Sequence, residues 1–420
     1  MNSSLLHGLM WAVFVFTYVG IALGEYPRLV LDRTGIALLG GVFMLMIGAL
    51  DIHQAARSID IPTILLLFGL MIFSAQLRTA GFYDAVGRRL VYLSARPKTL
   101  LACLILVAAL LSALLANDIV CLAFTPLLCA ALLRAKRNPI PYLLALATGS
   151  NIGSAATLIG NPQNMYIGSA GHLDFSHFLL IMLVPVGLGL VLCFVGVVWL
   201  FWHQLHSKAE QSDDPKEPAA EELDWYLVGK TLTLLAALIA YFLLARGPAA
   251  AEHRAIAALA GAGILMISRR SKAAKLYTHV DYNLILLFLG LFVVNGAMQD
   301  QHLSNQIFSF IQQIHVNLNH PATLAGVTTA LSNVVSNVPA VLLLAPAIHS
   351  KSNWYLLALI STWAGNLTLV GSIANLIVAE GAKAYGVRVT LRTYCWLGIP
   401  LTVATVLMGT VWIAWMVPAH

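Results

Sequence analysis

The chain has 420 residues, of which 59% are hydrophobic and only 10% are charged. A soluble domain carries about 25% charged residues, because polar side chains must cover its surface. The composition therefore excludes a soluble enzyme and indicates a surface that mostly faces lipid. The net charge of +6 does not indicate a nucleic-acid partner, because the basic residues lie in short connections between apolar runs, where they report membrane orientation.

Ten apolar runs are long enough to cross a hydrocarbon core of about 30 Å. The first, residues 7–24, lacks the basic start and the cleavage site of a signal peptide, so we expect it to be retained. Glycine, asparagine and threonine interrupt two of the later runs near their middles, 139–170 and 353–380. The nine runs after the first lie near residues 35–50, 62–77, 139–170, 177–202, 225–245, 254–268, 282–298, 353–380 and 393–417.

Two further apolar stretches, 99–133 and 321–349, each carry a polar kink halfway along. Their arms of about 14 to 17 residues are short for a full crossing, so we predict two re-entrant hairpins. A hydrophilic linker, residues 203–224, divides the chain near its midpoint.

Three pairs of segments repeat in the two halves of the chain. DIPTILLLFGL resembles DYNLILLFLGL at a shift of 221 residues, and SALLANDIVCLAFTP resembles SNVVSNVPAVLLLAP at a shift of 220. TLIGNPQN resembles TLVGSIAN at a shift of 211. Because each half has an odd number of crossings, the second repeat should be inverted relative to the first, as in many secondary transporters.

The predicted fold class is an all-α polytopic membrane protein with two inverted repeats, residues 1–202 and 225–420. Each repeat has three spans, a re-entrant hairpin, an interrupted span and a final span, and residues 203–224 form a cytoplasmic linker. With the first hairpin entering from the cytoplasm, all but four of the 24 Lys and Arg residues lie inside, in agreement with the positive-inside rule. We expect a multi-pass protein of the plasma membrane, the inner membrane of a bacterium, with both termini outside. The four outside residues are Arg57, Arg246, Arg254 and Lys351.

Polar residues occur at both hairpin tips, where the chain should lie at membrane depth. They are Asn117 and Asp118 at the first tip, and Asn333, Ser336 and Asn337 at the second. Polar groups are unfavourable at this depth unless they are satisfied, so the matched tips predict a binding site near the midplane. Two structural alternatives remain open. The Asn side chains could cap broken helix ends, and Asp118 could form an ion pair or hydrogen bond that only locks the hairpin.

The interrupted spans carry a second group of polar and small residues. Glycine permits an unwound turn, whose free carbonyls can bind a cation and whose helix N-termini favour an anion. The alternative is a packing kink in which Asn and Thr side chains bond the broken backbone ladder. The residues are Asn151, Thr157, Gly160, Asn161, Pro162 and Asn164 in the first span, and Asn366, Thr368, Gly371, Ser372 and Asn375 in the second. A candidate sodium site lies near Asn117, Gly160, Asn337 and Gly371.

The residues of the predicted site bound the nature of its ligand. They include no Lys or Arg to pair with a polyanion, so the ligand should be small or weakly charged, such as a neutral oxyacid. Asp118 is the one carboxylate placed to carry a proton or a cation as the coupling ion.

These motifs resemble those of the ion transporter superfamily. The resemblance rests on LDRTGIALLGG, IDIPTILLLFGLMI, ANDIVCLAFTP, TLIGNPQNMYIG and SNVVSNVPAVLLLAP, which span essentially the whole chain. The most similar branch contains citrate-transporter-like anion permeases, arsenite pump membrane subunits and sodium/proton antiporters. Membership implies a homodimer, elevator-type alternating access and a site that includes Asn117 and Asn337. It also implies a soluble ATPase partner if the chain is an arsenite pump.

The tips depart from one pattern of this superfamily. Divalent-anion/sodium symporters carry Ser-Asn-Thr there, whereas this chain carries Ala-Asn-Asp and Ser-Asn-Val-Pro. The resemblance therefore favours arsenite-like and inorganic anions over dicarboxylates.

We expect a secondary active transporter of a small anion or oxyanion, coupled to a proton or sodium gradient, with no cofactor and no enzymatic activity. A sodium/proton antiporter and a di- or tricarboxylate–sodium symporter are alternatives within the superfamily. A membrane pore is a remote alternative, because Asn161-Pro162-Gln163 and Asn337-Val338-Pro339-Ala340 loosely resemble the paired NPA turns of water channels.

Overall fold

A computed structural model describes residues 3–24, 31–206, 223–247, 249–270, 272–304, 306, 309, 313 and 316–417. These residues are almost entirely helical and include no β-strand. Eight of the helices in this part of the chain are long and apolar enough to cross a membrane. The predicted all-α polytopic class is therefore confirmed.

The helices follow the predicted order in both halves. The first half contains Ser3–Leu23, Arg33–Met46, Ile52–Ser58, Ile61–Thr79, Phe82–Val91, Tyr92–Ala95, Pro97–Leu114, Asn117–Arg134, Ile140–Ser154, Pro162–Ala170, Phe175–Leu200 and Trp202–His206. The second half contains Trp225–Leu244, Ala250–Met266, Ala273–Tyr277, Tyr282–Asp300, Pro321–Val335, Asn337–Leu344, Ala345–Ala347, Lys351–Ala364, Leu369–Gly371, Ile373–Lys383 and Leu391–Met416. Of the predicted linker, residues 207–222 lie outside the described residues.

Aspartate residues start six of these helices. The side chain of each accepts a hydrogen bond from a backbone N–H in the first turn that follows. A carboxylate there satisfies an N–H group that has no intrahelical partner, and it interacts favourably with the positive end of the helix dipole. The six residues are Asp32, Asp51, Asp60, Asp174, Asp224 and Asp281.

Two pairs of helices, each with one helix from either half, pack closely through small residues. The close contacts of the two pairs involve equivalent residues. A Cβ atom at Gly69 would lie 2.9 Å from the carbonyl carbon of Ala258, and one at Gly290 would lie 2.4 Å from that of Ala37. The same shift of 221 residues relates the two glycines and the two alanines, so the packing repeats with the sequence. The inversion of the second repeat and the domain boundaries stay predictions. The helix pairs are Ile61–Thr79 with Ala250–Met266, and Tyr282–Asp300 with Arg33–Met46.

The two hairpins differ in length. The arms of the first hairpin, Pro97–Leu114 and Asn117–Arg134, have 18 residues each and are longer than predicted. They extend beyond the apolar segment because a proline can begin a helix and because Arg134 can reach the interface with its charged end. The arms of the second hairpin are Pro321–Val335 and Asn337–Leu344, and only 8 residues form the second of these helices.

Two interrupted spans complete the centre of the molecule. The first interrupted span joins Ile140–Ser154 to Pro162–Ala170 through the first turn, residues 155–161. The second joins Lys351–Ala364 to Ile373–Lys383 through the second turn, residues 365–372. The second arm of each hairpin packs against the interrupted span of the other half. Both halves therefore contribute to one centre.

Candidate functional site

Asn151 connects the first hairpin to both interrupted spans. Its Oδ1 accepts hydrogen bonds from Asn117 Nδ2 (3.1 Å) and Ser372 Oγ (3.2 Å). Its Nδ2 donates to Asn366 Oδ1 (2.9 Å) and Asn375 Oδ1 (3.0 Å). All five side chains come from the predicted site, and four of them are bonded to the fifth. The carboxamide of Asn151 is fully satisfied, so it holds the centre together in this arrangement.

Several other predicted residues satisfy the broken helix ends of the first turn. Asn161 accepts a bond from the backbone N–H of Asn164 and donates to Ser154 Oγ (3.2 Å). Asn164 Nδ2 donates to the Thr157 carbonyl (3.2 Å). Thr157 in turn donates to the Ala113 carbonyl of the first hairpin. These are the bonds that the packing-kink alternative predicts.

The second turn is held by equivalent residues. Asn375 Nδ2 donates to the carbonyls of Gly365 (2.7 Å) and Thr368 (3.1 Å). Thr368 Oγ1 donates to Asn333 Oδ1 (3.0 Å), and Asn333 Nδ2 donates to the Ala364 carbonyl (2.8 Å). In the first half, the threonine of the turn thus bonds to a main-chain carbonyl of the hairpin. In the second half, the threonine of the turn bonds to the Asn333 side chain instead.

Both turns need glycine where they approach other backbone. A Cβ at Gly160 would lie 2.1 Å from the Ser154 carbonyl oxygen and 2.9 Å from that of Ser112. A Cβ at Gly371 would lie 3.0 Å from the Gly365 carbonyl oxygen and 2.6 Å from Asn333 Oδ1. No other residue type fits the first position without moving the main chain.

The second hairpin tip carries polar groups without partners. Asn337 Oδ1 is buried and makes no hydrogen bond, and a Cβ at Gly365 would lie only 3.1 Å from Asn337 Nδ2. The hydroxyl of Ser332, on the preceding arm, is fully buried and also unpaired. Between them Ser336 has φ +74° and ψ 163°, a region that is essentially restricted to glycine. The tip therefore combines backbone strain with unsatisfied hydrogen-bonding groups.

Asp118 is half-buried in the first turn of its helix, beside Asn117. Among the described residues none donates a hydrogen bond to its side chain. The hydrogen bond or ion pair that would only lock the hairpin is therefore not found within this part of the chain.

The centre carries little positive charge. Arg254 is the one charged side chain among the buried polar residues that the structure describes, at 4% exposure. The charge distribution predicts that Arg254 lies outside, and in the structure both of its Nη atoms donate to the Leu173 carbonyl (3.2 Å each) beside the end of the first interrupted span. This burial could not be predicted from the sequence, because Arg254 lies at the start of an apolar run, where a charged residue usually lies at the interface.

Sequence reasoning missed Thr362, which is buried and receives bonds from Asn161 Nδ2 (3.1 Å) and Gln163 Nε2 (3.4 Å). The shift of 211 residues aligns Thr362 with Asn151, so extending the repeat alignment would have identified it as a candidate site residue.

No group of three or more His, Cys, Asp or Glu side chains is arranged to hold a metal ion within the described ranges. A sodium ion near the turns would need carbonyl and carboxamide oxygens as ligands. Several of these oxygens, including the carbonyls of Thr157, Gly365 and Thr368, already accept hydrogen bonds from Asn side chains.

Comparison with known proteins agrees with the fold and with the motifs. The chain is 30% identical to the silicon efflux transporter LSI3 of Oryza sativa subsp. japonica, over 97% of this chain and 96% of that protein. It is 26% identical to a transporter named arsB of Dictyostelium discoideum, over 97% of this chain and 92% of the relative. The crystal structure of the Alcanivorax borkumensis YdaH transporter has a TM-score of 0.59 and covers 98% of this chain with 97% of its own. At 15% identity this likeness concerns the fold alone.

The family called citrate transporter matches residues 11–364, most of the chain. Together with the polytopic helical fold, this match shows that the chain is a membrane transporter and belongs to the citrate transporter family.

Proposed function

We propose that the chain is a secondary active transporter of a small anion or neutral oxyacid, such as silicic or arsenous acid. The observation that carries the proposal is the uncharged polar centre formed by Asn117, Asn151, Asn366, Asn375 and Ser372. Carboxamides and hydroxyls bind the hydroxyl groups of a neutral oxyacid without a buried counter-charge. The names of the two relatives, a silicon efflux transporter and arsB, agree with this class of solute.

Helix N-termini would add to the binding of an oxygen-rich solute. The helices that begin at Asn117, Asn337 and Ile373 have no side-chain cap on their first turn. Their unpaired backbone N–H groups and the positive ends of their dipoles favour oxygen acceptors and weak anions. A trianion such as citrate would need several cations, and Arg254 already donates to a carbonyl. A sodium/proton antiporter or a di- or tricarboxylate–sodium symporter is thus the second candidate, favoured only by the half-buried carboxylate of Asp118.

Uptake into proteoliposomes tests the solute class. We expect saturable flux of silicic acid or arsenite, driven by a proton or sodium gradient, and little flux of citrate. Flux of citrate that exceeds both would favour the symporter, and sodium/proton exchange without solute flux would favour the antiporter.

Asp118 is our candidate for the residue that couples the solute to the ion gradient. Asp118→Asn keeps the shape of the side chain and fixes its charge at zero. We expect this variant to retain exchange of solute across the vesicle membrane and to lose accumulation driven by the gradient. Asp174→Asn is a matched control, because Asn caps a helix as well as Asp does. Accumulation by Asp118→Asn with its usual pH and sodium dependence would contradict the assignment.

We further propose elevator-type alternating access in a homodimer of the plasma membrane. The two cross-packed pairs each join one helix from either half and are separate elements from the hairpins and interrupted spans, an arrangement that suits movement of one group past the other. A chemical cross-linker applied in membranes should capture a dimer. A soluble ATPase partner would apply only to an arsenite pump, and it predicts ATP-dependent efflux.

The predicted orientation, with the termini outside and the linker inside, is tested by labelling. A cysteine introduced at Lys272 should react only from the cytoplasmic side, and one at Lys351 only from the outside. Labelling of both from one side would contradict the inverted repeat.

A further inference from the structure

A serine–serine hydrogen bond joins the hairpin to the interrupted span in the first half but not in the second. In the first half, Ser112 Oγ and Ser150 Oγ form a hydrogen bond of 2.8 Å between the hairpin and the interrupted span. The repeat shifts of 220 and 211 residues place Ser332 and Ser361 at the equivalent positions. Both are fully buried, yet Ser332 is unpaired and Ser361 makes only a long bond of 3.4 Å to the Ala358 carbonyl of its own helix.

The same contrast holds at the tips. Asn117 Nδ2 donates to Asn151 at 3.1 Å. Their counterparts are Asn337 and Thr362, and the oxygen of the Asn337 carboxamide is buried without a partner. Thr362 Oγ1 instead donates to the Ala358 carbonyl (2.8 Å) of its own helix. The bond of the serine pair and the bond of the tip asparagine are thus present in the first half and absent in the second, where Thr362 is already satisfied by Ala358, Asn161 and Gln163.

The backbone of the second tip fits a hairpin that moves. Ala116, at the first tip, has ordinary backbone angles of φ −62° and ψ 125°, whereas Ser336 at the equivalent position has φ +74°. Strain of this kind persists at sites that change conformation, where another state relieves it. Movement of the second hairpin toward its interrupted span would let Ser336 adopt the angles of Ala116 and would pair the buried groups.

We propose that the second hairpin is a gate over the transport site, and that its closed state has the contacts of the first hairpin. Closure pairs Ser332 with Ser361. This inference rests on the proposed transport function, because a solute that contacts Asn337 would draw the hairpin inward. The open gate leaves the Asn337 carboxamide free to meet the solute first.

Paired cysteines test the gate in a chain whose five native cysteines are replaced by alanine. The Ser112→Cys/Ser150→Cys pair is the control, and we expect it to form a disulfide immediately under mild oxidation, because the serine pair is already in contact. The Ser332→Cys/Ser361→Cys pair should form at least about ten-fold more slowly without solute, and reduction should restore lost transport. Equal rates for the two pairs, or no disulfide at all in the second pair, would overturn the proposal. The native cysteines are Cys103, Cys121, Cys129, Cys193 and Cys395.

The rates without solute test the gate alone, so they remain informative if silicic acid is not transported. Where the unmodified chain does transport silicic acid, the addition of silicic acid should accelerate the second cross-link and leave the first unchanged. Ser332→Ala adds a second measurement that does not depend on cysteine. It should raise KM for silicic acid by about 2- to 10-fold, the value of one hydrogen bond in the closed state. An unchanged KM would contradict closure onto Ser361.

Discussion

The two hairpins come from repeated sequences, but they dock on their interrupted spans in different ways. In the first, Ser112 and Asn117 bond directly to the span, and Thr157 reaches the main chain of the hairpin. In the second, the Asn333 side chain stands between hairpin and turn, and Ser332 is left unpaired. Related sequences therefore form a satisfied interface in one half and a strained, unsatisfied interface in the other. The satisfied half is suited to hold the centre together, and the other half is suited to bind and move.

The largest effect should come from the glycine of the first turn. In Gly160→Ala the new Cβ would meet backbone oxygens of both Ser154 and Ser112, which cannot move without shifting the helix and the hairpin. We expect almost no folded protein, measured as the monodisperse peak in size-exclusion chromatography.

The matched change in the second turn should be milder. In Gly371→Ala the shortest contact is with the Asn333 side chain, which can rotate away at the cost of its own hydrogen bonds. Gly263→Ala is the control, because nothing lies within 4 Å of its new Cβ. Equal losses at Gly160 and Gly371 would remove the contrast between the turns.

The next effect concerns Asn151, the hub that bonds to the other four polar side chains of the centre. Asn151→Leu leaves the Asn366 and Asn375 oxygens and the Asn117 amide without their partner. Each buried polar group left unpaired costs about 1–3 kcal/mol, so a marked drop in apparent Tm is expected in detergent. Thr362→Val, at the equivalent position of the second half, should cost less, because the bonds from Asn161 and Gln163 are fewer and longer. A similar Tm for both variants would contradict the role of Asn151 as the hub.

The tip asparagines should separate stability from transport. Asn117→Ala removes a buried bond and should lower the free energy of unfolding by about 1 kcal/mol. Asn337→Ala removes a carboxamide whose oxygen is buried without a partner, so stability should change by less than about 0.5 kcal/mol. Both variants should lose transport in proteoliposomes. Near-normal flux in Asn337→Ala would show that the second tip does not contact the solute.

Much of this arrangement could be predicted from the sequence, because it depends on repeated local patterns. The shift of 221 residues predicts that the contact of Gly69 with Ala258 should recur at Gly290 and Ala37, and it does. Glycine and asparagine near the middle of an apolar run likewise predicted both unwound turns.

The remaining features depend on three-dimensional packing that a pattern does not encode. Residue type alone could not show that the Asn151 carboxamide makes four hydrogen bonds while the Asn337 oxygen makes none, because both are Asn residues near an interruption. The burial of Arg254 depends on where the loop at Leu173 lies, which is set by another segment of the chain. The positive φ of Ser336 could not be predicted either, because serine rarely adopts this backbone conformation.

The last effect concerns the residues that precede the tip asparagines, and its sign should differ between the halves. A non-glycine residue with the backbone angles of Ser336 is strained by about 1–3 kcal/mol. Ser336→Gly removes this strain, and after the extra entropy of the unfolded chain is subtracted, about 1 kcal/mol of stabilisation should remain. Ala116→Gly gains nothing at φ −62° and should be destabilising by about 0.5–1 kcal/mol.

Ser336→Gly should also affect transport, because it stabilises only the open state of the gate. If closure relieves the strain at Ser336, removing that strain from the open state shifts the equilibrium toward the open state. A difference of about 1 kcal/mol corresponds to a roughly five-fold change in the equilibrium, so KM should rise about five-fold while the apparent Tm of the solute-free protein also rises. A rise in Tm with unchanged KM would mean that the strain persists in both states. The second tip would then differ from the first in structure but not in movement.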